Sequence, residues 1–215
     1  LNARLGQSEY LVAEADESDG SFLHLSPTVA CITNIDPEHL DHYGTLAALE
    51  QAFADFANKV PFYGLCVLCA DHPRTRALVA KVGKRVVTSG FDERAQFRAT
   101  DIELHGTRSR FGAWARGERL GVVDLAMPGR HNVQNALAAL AIVDFLRVPF
   151  AAYGEALASF GGVGRRFTVR GEHDGVLFVD DYGHHPAEIR ATLAGAREGF
   201  PGRRIVAVFQ PHRYT

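Results

Sequence analysis

Glu14, Asp16, Glu17 and Asp19 bring four carboxylates into six residues, directly after the apolar run Tyr10–Ala13. Two carboxylates about 4 Å apart repel by about 4 kcal/mol at an effective dielectric near 20. Such a loop is either spread into solvent or neutralised by a hard cation. A second loop, Asn34-Ile-Asp36-Pro-Glu38-His39-Leu-Asp41-His42, closes the next apolar run, Val29–Ile35. If both runs are parallel strands, both loops lie at the carboxyl edge of one sheet, where open α/β sheets bind ligands. On that reading His39 is a metal ligand beside Glu14, with Asp36 or Asp41 orienting its ring. A solvated acidic loop with a structural histidine is the competing reading. A metal-dependent hydrolase is another. His39, Asp41 and His42 form the last part of H-x-H-x-D-H, although Pro37 stands where its first histidine belongs.

Further along, Pro128-Gly-Arg-His131-Asn132-Val-Gln-Asn135 opens a helical pattern. Asn132 and Asn135, three apart, share a helix face. N-capping accounts for one asparagine, not for two plus His131; amides at a helix start suit a nucleotide. Arg165 and Arg166 follow the glycine-rich break Gly161–Gly164, where arginines either clamp phosphate or form a solvated turn. Asp180-Asp181-Tyr182-Gly-His184-His185-Pro186 ends one apolar run, and Gln210-Pro-His212-Arg213-Tyr214 ends the next. No G-x-x-x-x-G-K-[ST] phosphate loop occurs, since Gly83-Lys84 is followed by Arg85.

Short apolar runs alternating with helical patterns position these residues. They imply an α/β fold with a mostly parallel sheet flanked by helices and a small antiparallel sheet. Tyr10–Ala13, Val29–Ile35, Leu65–Ala70 and Arg85–Thr88 read as buried strands. Leu46, Leu49, Phe53 and Phe56 have helical spacing within Thr45–Asn58. Phe97–Leu104, Ser109–Ala115 and Arg119–Leu125 read as hairpin-linked strands, with turns at His105-Gly106 and Arg116-Gly117. Helices are expected at Asn132–Leu146 and Pro149–Ser159. A new strand–helix–strand pattern then follows at Val176–Asp180, Pro186–Arg197 and Ile205–Phe209. The break at Gly161–Gly164 places a domain boundary near Phe167, giving units 1–166 and 167–215.

The chain has 215 residues and a formal net charge of −2, which argues against nucleic-acid or membrane-surface binding by bulk charge. Cys66 and Cys69 have the spacing of half a zinc site. They lie inside an apolar run and no second cysteine pair exists, so they read as core. Three cysteines make no disulfide framework, which suits a reducing cytoplasm. The chain opens at Leu1, has Met127 as its only methionine, and stops just after Ile205–Phe209. It reads as a segment of a longer protein.

Seven segments together resemble the Mur ligases of peptidoglycan synthesis. They are EADESDGSFLHL, TNIDPEHLDHY, PFYGLCVLCADHP, MPGRHNVQNALAA, GVGRRF, DDYGHHPAEI and FQPHRYT, in the family's order along essentially the whole chain. The resemblance implies the family's central ATPase domain without its start and its phosphate loop, followed by the opening of a Rossmann-like third domain. It implies an ATP-dependent acid–amino-acid ligase using Mg²⁺. ATP would phosphorylate the lactyl carboxylate of UDP-N-acetylmuramate, and the amine of L-alanine would displace the phosphate. A recycling ligase that attaches a tripeptide is the second reading, set apart by DDFAHHP where this chain has DDYGHHP. Glu14 and His39 match the family's magnesium-associated positions, and His131, Asn132 and Asn135 the adenine side. Arg166 and Asp181 match positions that contact nucleotide. Tyr182, His184, His212 and Arg213 match the amino-acid pocket.

Overall fold

The computed structural model describes residues 5–211. Its centre is a six-stranded mixed sheet in the order β1-β2-β3-β4-β5-β6. β1 (Val29–Ile32), β2 (Leu65–Cys69), β3 (Val86–Gly90) and β4 (Phe97–His105) run parallel. β5 (Arg108–Ala115) and β6 (Glu118–Leu125) add on antiparallel. The hairpin strands expected from Phe97 onward therefore extend the parallel sheet. A separate two-stranded antiparallel sheet is formed by β7 (Thr168–His173) and β8 (Val176–Asp180). The helices are α1 (Leu40–Tyr43), α2 (Leu46–Asn58), α3 (Pro73–Leu78), α4 (Arg130–Phe145), α5 (Phe150–Ala158) and α6 (Pro186–Gly199).

β2 is buried along its whole length and divides two cores. Leu65 and Val67 face α4 and α5, while Cys66 and Leu68 face α2 and α3. That is why its sequence is continuously apolar instead of alternating. Burial pushes the Cys66 thiol up to about 12, far from the thiolate a zinc site needs. Thr45 caps α2 by accepting from the Ala48 amide at 3.1 Å. Leu49 and Phe56 of the same helix are buried. On the other face α4 presents Val133, Leu137 and Leu140 among small alanines, and the Tyr153 hydroxyl donates to Ala136 O at 2.7 Å. Among the described residues no helix is long and apolar enough to cross a membrane.

Two expected strands are absent. Tyr10–Ala13 has no ladder partner among the described residues, leaving Leu11 and Val12 93% and 94% exposed. Among the described residues Ile205–Phe209 likewise pairs with no strand, and Val208 is 97% exposed. An apolar run becomes a strand only when a neighbour takes its amides and carbonyls, and none of the described residues does so here. β7 was not anticipated, because Arg170-Gly-Glu172-His173 breaks its alternation. α6 docks against β4 of the six-stranded sheet and against α4. Gly106 N donates to Gly199 O at 2.7 Å. A Cβ on Gly199 would lie 2.5 Å from Gly106 O, so that contact requires glycine, and one on Gly195 would lie a tight 3.1 Å from the Gly129 Cα. Arg130 pairs with Glu198 at 3.3 Å, and the Phe167 and Phe200 rings stack at 6.3 Å.

Candidate functional site

The acidic loop before β1 resolves its own repulsion by dividing its carboxylates. Asp16 accepts from Ser18 N at 2.8 Å and Asp19 from Ser21 N at 2.9 Å. Hydrogen bonds from the same serines hold both carboxyls below their usual range. Glu17 is half-buried and turns towards His39, whereas Glu14 is exposed. His39 ends the loop after β1 in a left-handed conformation, φ 54°, strained for a residue other than glycine. Its Nε2 lies 3.7 Å from Glu17 and 3.7 Å from Glu38, and one ligand atom from each of the three falls within 4.8 Å of the others. Glu14, expected beside His39, is not in this group. Asp36 pairs with His72 Nε2 at 3.4 Å instead of orienting His39, and Asp41 is exposed on α1. A cavity of about 170 Å³ opens beside the group, lined by Glu17, Asn34, Asp36 and Glu38 with Phe53 beneath.

α4 starts at the same edge of the sheet. Gly129 is its N-cap, so neither asparagine caps it. Asn132 lies inside the first turn and donates to Pro128 O at 2.7 Å; Asn135, on the next turn, is exposed. Burial holds His131 below the usual imidazole range, with Asp181 opposing and Arg166 adding to the shift. The ring is therefore neutral near pH 7 and lies in the field of both hinge residues. Gln134, between the asparagines, donates to Asp71 at 2.6 Å. Asp71 also accepts from Phe91 N at 2.9 Å and Asp92 N at 3.1 Å, which ties α4's first turn to the ends of β2 and β3. A Cβ on Gly90 would lie 2.7 Å from that carboxylate, so the approach needs glycine. This Asp71 hub was not legible as a motif; only the chance to pair a carboxylate after β2 with an amide on α4 could have suggested it.

The stretch around Arg166 and Phe167 is held by the segment that follows β8. Asp181 accepts from Phe167 N and Gly183 N, each at 2.8 Å. Arg166 pairs with Glu188 at 3.0 Å. Burial works against the Glu188 carboxylate, but the His184 and His185 amides and Arg166 outweigh it and hold its pKa below the usual range. At the start of α6 the Glu188 carboxylate accepts from the His185 N–H at 3.3 Å. Tyr182 is exposed, its ring edge-on to His184 at 5.5 Å. His185 Nδ1 lies 2.9 Å from Glu38, joining the segment to the acidic group. His212 and Arg213 lie outside the described residues.

The hydrolase arrangement is not assembled. Asp41 and His42 are exposed on α1, and neither joins His39 in a ligand group among the described residues.

Residues 1–143 match the family description "Mur ligase middle domain" and residues 165–214 match "Mur ligase, glutamate ligase domain". The chain belongs to the Mur ligase family. Its relatives are more particular. It is 59% identical over 214 residues to the UDP-N-acetylmuramate–L-alanine ligase of Anaeromyxobacter sp. (strain Fw109-5), covering 100% of this chain and 46% of the relative. It is 58% identical to the enzyme of the same name from Pelobacter propionicus, covering 100% of this chain and 47% of that protein. The chain thus spans about half the length of the curated relatives it matches. Among solved structures, UDP-N-acetylmuramate–alanine ligase from Thermotoga maritima superposes with a TM-score of 0.78 at 33% identity, over 93% of this chain and 45% of that one. A murein peptide ligase from Psychrobacter arcticus gives 0.61 at 28% identity, over 85% and 37%.

Proposed function

We propose that this chain is the nucleotide-handling part of an ATP-dependent ligase joining L-alanine to UDP-N-acetylmuramate in peptidoglycan precursor synthesis, in the cytoplasm. The observation that carries the reading is the 59% identity along the whole chain to a ligase of that name. The free thiols Cys31, Cys66 and Cys69 suit a reducing compartment. The unit boundary falls near Phe167 in this reading, at the glycine-rich hinge.

Two carboxylates and an imidazole within 4.8 Å form a mostly oxygen donor set that suits Mg²⁺ with water completing its shell. When bound, the ion screens charge between carboxylate and phosphate. Glu17, Glu38 and His39 would hold it in this reading, with Glu14 exposed on the same loop outside that set. Asn135 offers its exposed amide to the adenine edge, and Asn132, tied to Pro128, shapes that turn. Neutral His131 gives the base a buried flank. Arg166 and Asp181 approach the nucleotide from the hinge. Tyr182, His184, His212 and Arg213 line the amino-acid pocket, with Arg213 holding the substrate carboxylate through its planar fork. The nucleophile is the lactyl carboxylate of UDP-N-acetylmuramate, and the chain's task is to position it and neutralise charge.

Exchanging this chain for the matching segment of the Anaeromyxobacter enzyme tests the proposal. The exchange protein should form amide with L-alanine in preference to a muramyl tripeptide. A preference for the tripeptide would assign the chain to the recycling reaction instead.

A further inference from the structure

We infer that a cleft at the amino edge of the sheet, opposite the candidate site, binds a compact phosphate oxyanion. The cleft holds about 470 Å³ and is lined by Arg85, Arg116, Asp144, Phe145 and Arg147. Arg85 precedes β3, Arg116 lies in the β5–β6 turn, and Arg147 follows α4. Asn132 and Phe145 stand near opposite ends of α4, about 20 Å apart along the helix, which separates this cleft from the candidate site.

Charge is unbalanced here. Arg116 spends its guanidinium on both oxygens of Asp144, at 2.8 and 3.0 Å. Arg85 lies over the Phe145 ring at 5.6 Å, which orients it without neutralising it. Among the described residues Arg147 has no carboxylate partner. The end of α4 contributes about half a negative charge. Three cations against Asp144 and that half charge leave the lining clearly positive.

The backbone adds to this. Arg116 (φ 49°) and Arg147 (φ 60°) both occupy the left-handed region. Glycine is the cheap residue there, and an L side chain costs about 1 kcal/mol or more at each position. Arg147 sits where a helix most often ends in glycine, its amide donating to Asp144 O at 3.1 Å. Three arginines on this concave lining offer the planar fork with which arginine binds phosphate. Arg85 lies over one face of the Phe145 ring, and the arginine-rich lining makes the phosphate the recognised group.

The test is a titration of this chain with sodium pyrophosphate, followed by two-dimensional NMR of backbone amides. Saturable shifts are expected at residues 116–117 and 146–148. Parallel titration with ADP separates sources. Shifts at the same amides mean that a nucleotide tail is accepted, and silence there means the free anion; both place a phosphate in the cleft. Arg147→Gly fits the backbone and Arg85→Gln leaves the core untouched, and each should weaken pyrophosphate roughly tenfold. Arg110→Gln, on β5 and paired with Asp124, is the control for bulk charge. No shift at the cleft, shifts confined to the carboxyl edge, or an equal loss in Arg110→Gln would overturn the inference.

Discussion

The Glu38 carboxylate lies 2.9 Å from Nδ1 of His185, although the first residue follows β1 and the second starts α6. Glu38 also stands 3.7 Å from His39. One side chain thus touches both the acidic group and the C-terminal segment, so docking of that segment and the charge around His39 are physically linked.

A double-mutant cycle measures this link. Glu38→Gln and His185→Ala should show a coupling of about 1 kcal/mol in urea unfolding of the chain at pH 6. Additive effects would mean that the contact contributes nothing to docking.

Asp71 and Gln134 form the second long-range pair, at 2.6 Å. Asp71→Ala should cost roughly 3 kcal/mol, because it strips the Phe91 and Asp92 amides and Gln134 together. Gln134→Glu sets two carboxylates face to face and should also destabilise. Adding Asp71→Asn to Gln134→Glu restores a donor–acceptor pair and should recover about 1 kcal/mol or more. Failure of that rescue in thermal unfolding would show that the pair does not hold α4's first turn.

The parts of the fold that were legible in sequence are those where a local pattern and its packing agree. Leu65–Ala70 became central strand β2 because a continuous apolar run has cores on both faces. Thr45 and the Leu46–Phe56 spacing became α2 with its cap. Gly106 and Gly117 took the positive φ their turns need. Tyr10–Ala13 misled because apolar content says nothing about whether a partner strand is present. In the candidate site, sequence named His39 but assigned it Glu14, whereas geometry sets Glu17 and Glu38 beside it. Neighbouring carboxylates in one loop differ only in where the turn points them, and Ser18 and Ser21 decide that turn.

Docking of α6 should yield to one methyl group. Gly199→Ala places a Cβ 2.5 Å from the Gly106 carbonyl and should break the 2.7 Å hydrogen bond there. Limited proteolysis is then expected to cut faster at Gly161–Gly164 and to leave the six-stranded unit intact. Unchanged cleavage would show that the glycine contact does not secure the segment.

His131 sets a pH dependence. Burial holds its folded-state pKa below the ordinary value near 6.5. The unfolded chain therefore binds more protons as pH falls through 6.5, and stability declines in that window. The contribution is fully present above about pH 7 and is lost towards the depressed folded value. Glu188 acts in the same sense but lower, below its ordinary 4.5. Urea unfolding between pH 7.5 and 5 should lose stability in the parent and show a flatter slope in His131→Gln. Equal slopes would mean that His131 is not buried neutral.

Oxygen tracing tests the ligase reading most directly. UDP-N-acetylmuramate labelled with oxygen-18 in its lactyl carboxylate is given to the segment-exchange protein with ATP, Mg²⁺ and L-alanine. If the carboxylate attacks the γ-phosphate and the amine then displaces phosphate, one labelled oxygen leaves in inorganic phosphate for each amide formed. Mass spectrometry of that phosphate should show this transfer. Amide formation with unlabelled phosphate, or ATP hydrolysis without amide, would contradict the assignment.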